Sequence, residues 1–300
     1  MDITQLKPID LSLAQDKPPL VAVSPTISIE SALTLLHKHK FTSLPIFSHD
    51  SAKVVSIVNL FDILLYLAEN QATVHKEEFP LHHPIENVLG LDSDRESYRM
   101  NKTDRNDKLL DTLRIFASGG HRSLVVDETD ESKHPWILSQ TDIIRHIVNH
   151  PDCIHDLVNI NATLQELGLL NKSRNDLVVA DQNETTLNVY RLMAREKLSS
   201  VPILNDQDKF LGVLSLENLP GASLETIELL DLPISDYLKT STNHHSITND
   251  KNATLKDILD SMVKNDTHRV WILDDGNIVG VVTMSDIIGL LCSKHSSSIF

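Results

Sequence analysis

The chain has 300 residues and a formal net charge of −15, with 42 acidic side chains against 27 Lys and Arg. A field of that sign excludes nonspecific binding to nucleic acid or anionic membrane, both of which need a positive surface. Hydrophobic residues make up 41%, enough for compact cores, yet the longest apolar runs, such as Ile63–Ala68 and Ile287–Cys292, are far too short to span a bilayer.

The chain begins MDITQLKPIDLSL, with acidic residues where a secretory signal needs basic ones. Cys153 and Cys292 are too few for a disulfide framework and lack zinc spacing. Together these features predict a reduced, intracellular setting, cytoplasmic or nuclear. The first 19 residues read as an extension. A first repeat then fills about 20–69: a short strand in LVAVS, a helix with Ile29, Leu33 and Leu36 on one face, the strand SLPIF, and KVVSIVNLFDILLYL. A polar linker follows (70–95). The second repeat (96–150) carries SLVVD and HPWILSQTDIIRHIV. A connector (151–173) shows a short helical pattern from Leu157 to Leu170. The third repeat (174–220) carries LVVAD, SVPIL and KFLGVLSLENL, and a second linker (221–245) ends in STNHH. The fourth (246–292) has a helix with Leu255, Ile258, Leu259 and Met262 on one face, opened by Thr254 and Asp257 as a capping box. It continues VWILD and NIVGVVTMSDIIGLL, and a short tail (293–300) closes the chain. The fold class is therefore α/β, four copies of a β-α-β-β-α unit at a period of roughly 70–80 residues.

Each copy ends on a small polar residue and, three positions later, Asp or Asn: Asn59 and Asp62, Ser139 and Asp142, Ser215 and Asn218, Thr283 and Asp286. Taken singly, this spacing is a helix cap. An exposed helix N-terminus can also receive a ligand, the carboxylate accepting two hydrogen bonds from a ribose diol while backbone N–H groups face a phosphate. The two roles are compatible. A second pattern sits just before the third element of each copy: Thr42-Ser43, His121-Arg122, Ser199-Ser200 and His268-Arg269. A basic pair at a strand start is often only a solvated turn. Its recurrence in two copies of so acidic a protein favours phosphate, for which Arg offers a fixed fork and His a further donor.

These repeats resemble the CBS motif. GGHRSLVVD and DTHRVWILD further resemble the second and fourth motifs of the gamma regulatory subunit of AMP-activated protein kinase. The resemblance covers about Leu20 to Cys292. It implies four tandem CBS motifs in two paired modules, forming a pseudo-fourfold disc with the His-Arg pairs pointing to its centre. It also implies that Asp62, Asp142 and Asp286 hold the ribose of AMP, ADP or ATP. His121, Arg122, His268, Arg269, Ser199, Thr283 and Ser285 would reach phosphate. Thr42 stands where that family usually has a basic residue, Ser56 where it usually has glycine, and Asp142 with Asn218 reverses its usual pattern, so this is a diverged member.

His37/His39, His82/His83 and His244/His245 have no fixed carboxylate or cysteine partner in sequence and read as solvated, not as metal ligands. No Walker loop, GxGxxG or hydrolase signature occurs, so no catalytic residues, metal or resident cofactor are expected. The implied function is a non-catalytic nucleotide sensor, partnered by a kinase catalytic subunit and a beta-type scaffold. The alternatives are a stand-alone regulator of another enzyme, such as a phosphatase, and a pure interaction scaffold.

Overall fold

The computed structural model describes residues 2–13, 17, 20–70, 80–89, 100–130, 132–170, 177–219, 229–240 and 247–297. In the first motif a single bridge from Val23 to Ile46 stands in for the opening strand, followed by α1 (Ile29–His39), β1 (Ser43–Ser48), β2 (Ser51–Asn59) and α2 (Leu60–Asn70). The second runs β3 (Lys102–Asp104), α3 (Leu109–Ala117), β4 (Arg122–Val126), β5 (Trp136–Ser139) and α4 (Gln140–Asn149). The third runs β6 (Ala180–Asp181), α5 (Thr186–Arg195), β7 (Ser200–Leu204) and β8 (Phe210–Ser215), and α6 (Ile234–Thr240) follows. The fourth runs β9 (Thr248–Asp250), α7 (Leu255–Lys264), β10 (Arg269–Asp274), β11 (Asn277–Thr283) and α8 (Met284–Ser297).

In the second, third and fourth motifs the opening strand lies parallel to the middle one, which pairs antiparallel with the signature strand. The crossover helix permits the parallel pairing, and a tight turn permits the antiparallel one. In β11, Ile278, Gly280 and Val282 alternate inward, the pattern of a sheet covered on one face.

The helices decide how motifs associate. Two compact units form, and they cut across chain order. Helix packing joins the second motif with the fourth, together with residues 1–20, and the first with the third. In this even unit α3 packs on α8, and α4 on α7 and α8. Leu113, Phe116, Ile143, Ile258, Leu259 and Ile287 share its core, each fully buried. In the odd unit α2 packs on α5, around Phe61, Ile63, Val189 and Met193.

Stretches outside the four repeats also enter the cores. The N-terminal extension belongs to the even core: Ile3, Leu6 and Leu11 are buried there, and the Leu109 N–H donates to the Leu6 carbonyl at 2.8 Å. The connector also packs inward through Cys153, Ile154 and Leu164. Its helical pattern ends after one turn, capped by Thr163 with Glu166 and reversed at Gly168, whose φ of 74° suits glycine. Leu81, Ile85 and Val88 of the first linker are buried in the odd core. In the third motif the described residues after β8 leave helical geometry within one turn. A 3-10 turn at Leu216–Asn218 stops at Leu219, whose ψ of 130 precedes Pro220. Proline's ring disfavours the helical region for the residue before it, so the turn cannot extend.

Candidate functional site

All four signatures form caps. Asp62 accepts the Asn59 N–H at 2.9 Å, Asp142 the Ser139 N–H at 2.8 Å, Asn218 the Ser215 N–H at 2.8 Å and Asp286 the Thr283 N–H at 2.8 Å. In the second, third and fourth, the Ser or Thr hydroxyl donates to the same side-chain oxygen. Capping leaves a second carboxylate oxygen for other work, and here the copies part. Asp62 is fully buried. Both oxygens of Asp142 accept from Lys17 Nζ at 2.7 Å. Asn218 is buried, and its backbone carbonyl, not its side chain, accepts from the Tyr237 hydroxyl, a phenol that burial pushes up to about 12 and so keeps protonated. Asp286 alone of the four is exposed. Only its Oδ2 is engaged, and Oδ1 has no hydrogen bond among the described residues.

The residues that precede β1, β4, β7 and β10 lie beside those caps. The N–H of the first helical residue donates to the carbonyl of Thr42, His121, Ser199 or His268, each at 3.1 Å, from Leu60, Gln140, Leu216 and Met284 respectively. The His-Arg steps therefore sit one peptide away from the N-termini of α4 and α8, and all four of their side chains are half-buried. Those two N-termini meet. Gln140 Nε2 lies 2.9 Å from Ser285 Oγ and 3.0 Å from the Gly120 carbonyl, and Thr141 Oγ1 lies 3.8 Å from Met284 Sδ. Within the even unit, His121, Arg122, His268, Arg269, Thr283 and Ser285 thus gather around two adjoining helix starts. These contribute partial positive charge, favourable for an anion. Asp62 and Ser199 belong to the odd unit.

Beside Asp286 is a cavity of ≈ 320 Å³, within the usual range for small-ligand sites. Its walls are Gly280 and Val281 of β11, one side of α8, and Leu167, Leu169 and Leu170 of the connector. The cavity is mostly apolar, with Asp286 as its charged group. It offers a flat apolar body a place to lie and a diol a carboxylate to bind. Sequence reasoning missed the connector wall, Gln140 and Lys17. The connector's leucines were the available signal, since a surface tie has little reason to carry four of them between Leu164 and Leu170. Among the described residues no three His, Cys, Asp or Glu side chains gather as metal ligands, and His244 and His245 lie outside those residues.

A repeated α/β unit with capped helix starts, one of them beside a small pocket, defines a ligand-binding module. The CBS domain family model matches residues 15–69, 170–224 and 243–293, more than half of the chain, and the chain belongs to that family. The second motif, which the model does not match, carries the same order of elements. The chain is 24% identical over 277 residues to the SNF1-related protein kinase regulatory subunit gamma-like PV42a of Arabidopsis thaliana, covering 81% of this chain and 76% of that one. It is 25% identical over 295 residues to protein SDS23 of Vanderwaltozyma polyspora, covering 88% of this chain but only 55% of that protein. The crystal structure of protein MJ1225 from Methanocaldococcus jannaschii, proposed as an archaeal homolog of g-AMPK, superposes with a TM-score of 0.73 at 19% identity, over 94% of this chain and 99% of that one. That likeness shows the fold: four CBS motifs in one chain.

Proposed function

We propose that this protein is a non-catalytic adenine-nucleotide sensor that regulates a protein kinase complex. The observation that carries the nucleotide reading is the open Asp286 carboxylate at the edge of the 320 Å³ pocket. The pocket holds the base, and Asp286 Oδ1 takes the ribose diol. The phosphates lie towards the start of α8, within reach of Thr283, Ser285, His268, Arg269, His121 and Arg122. Exchange of one nucleotide for another alters contacts to the partner through its different affinity for two states. Similarity to a gamma-like regulatory subunit of a protein kinase supports a kinase partner, and the beta-type scaffold rests on the sequence resemblance alone. The second reading is regulation of another enzyme, such as a phosphatase, since protein SDS23, not named as a kinase subunit, is matched at comparable identity and does not single out a kinase target.

Calorimetric titration of the purified protein with AMP, ADP and ATP tests the sensor. Saturable binding that Asp286→Ala weakens, with no phosphate release from ATP, is the expected result. Hydrolysis that scales with protein and vanishes in that variant would overturn the non-catalytic reading. Capture of partners from native extract, followed by kinase assay of the captured fraction, separates the two kinds of target.

A further inference from the structure

Asp142 and Asp286 hold equivalent places in two motifs of one compact unit, yet only one carboxylate is open. The Lys17 ammonium sits at 2.7 Å from both oxygens of Asp142, whose side chain is 6% exposed against 25% for the lysine. The described residues that precede Lys17, 2–13, are anchored. Ile3, Leu6 and Leu11 are buried in the even core, the Ile9 N–H donates to the Arg105 carbonyl at 3.1 Å, and the Lys17 N–H donates to the Leu13 carbonyl at 3.0 Å. An ammonium and a ribose diol compete for the same acceptors, and the ammonium adds charge. Because the anchors tether it, Lys17 acts at a high effective concentration that a diffusing ligand must exceed.

We infer that Lys17 is an internal ligand of the second motif, and that it decides which of the two equivalent carboxylates in the even unit receives nucleotide. The Asp286 site is constitutive, while the Asp142 site opens only when Lys17 leaves. This rests on the nucleotide reading for its ligand but not for the latch itself.

The latch is tested without nucleotide. The full-length protein is given a brief pulse of an amine-acetylating reagent, and modification of Lys17 is read by mass spectrometry. Asp142→Asn is the comparison, and its cap should survive because Asn218 makes the same cap contacts in the third motif. Lys17 should react about tenfold faster in Asp142→Asn than in the parent, the scale of one lost charge-assisted contact. Equal rates overturn the proposal. Calorimetry with AMP then reads the consequence. Lys17→Gln should add one equivalent of bound AMP over the parent, and the double variant Lys17→Gln with Asp142→Asn should lose it again. A parent that binds AMP while Lys17→Gln adds no equivalent overturns the role in site choice. If neither binds AMP, the nucleotide reading fails, and the acetylation rates alone decide the latch.

Discussion

Asp62 and Asp286 each accept the backbone N–H of the residue three positions before, at 2.9 and 2.8 Å, and each opens a helix. Their surroundings differ completely. Asp62 is fully buried, with Asn59 Oδ1 in turn accepting from the Phe61 and Asp62 N–H groups at 2.8 and 3.0 Å. Asp286 faces the pocket. Replacing Asp62 by Ala should therefore cost stability, about 1–3 kcal/mol for a buried cap whose partner N–H is orphaned. Replacing Asp286 by Ala should cost only about 1 kcal/mol as a cap. It should weaken AMP about ten- to a hundredfold, because a charge-assisted pair to a diol is lost. Urea denaturation and calorimetry on the two variants separate the effects, and Asn218→Ala should change AMP binding little. Weaker binding in Asp62→Ala with unchanged binding in Asp286→Ala would place the ribose elsewhere. The capping role was legible from spacing alone, because a cap is a local interaction. Which copy stays open was not legible. That depends on Lys17, 125 positions from Asp142, and on the packing that buries Asp62 and Asn218, and neither has a local signal.

At the scale of elements, the repeat order followed from hydrophobic period and was legible in the sequence alone. The exceptions came from single residues that stop a helix. Leu219, held out of the helical region by the proline that follows it in sequence, ends the turn after β8, and Gly168 turns the connector back so that Leu170 lies on the fourth motif. Leu170 is close enough to matter. A methyl group built on Gly280 would meet Leu170 Cδ2 at 2.9 Å. The clashing atom is the end of a flexible side chain, so Gly280→Ala should fold with a stability change of about 1 kcal/mol or less. It should also push Leu170 into the pocket and weaken AMP severalfold. Gly120 offers the contrast, since a methyl there meets Ile115 Cγ2 at 2.8 Å and the Ile115 carbonyl at 3.1 Å. Backbone cannot swing aside as a leucine tip can, so Gly120→Ala should cost about 1–3 kcal/mol. Denaturation midpoints for both variants, with AMP affinity for Gly280→Ala, check the pair. Unchanged AMP affinity in Gly280→Ala would remove the connector from the binding site.

The described residues form two cores, so unfolding is not expected to be a single two-state step, and responses to pH and to ligand should be local. His146, in α4 of the even unit, is half-buried, and its ring centroid is 4.7 Å from that of His150. Burial first, and the neighbouring imidazole second, hold its pKa below the ordinary 6.5. Below that value the unfolded chain binds more protons than the folded one. The associated stability is thus present above pH 6.5 and is lost as pH falls through the folded pKa. The even unit should therefore weaken on acidification from neutrality, and His146→Gln should flatten that slope in urea midpoints taken across the range. An unchanged slope would assign the acid sensitivity to other groups. Ligand acts in the opposite direction on the same unit. At a hundredfold excess over its dissociation constant, AMP stabilises whatever binds it by about 2.7 kcal/mol. With Asp286 as the open carboxylate, that gain belongs to β11, α8 and the elements that share their core. Amide exchange in the presence of AMP should slow across Asn277–Thr283 and Met284–Ser297 and stay unchanged in α1 and α5 of the odd unit. Slowing confined to the odd unit would mean that Asp62 or Asn218 opens to ligand, and that the burial which distinguishes the four capping side chains does not govern where nucleotide binds.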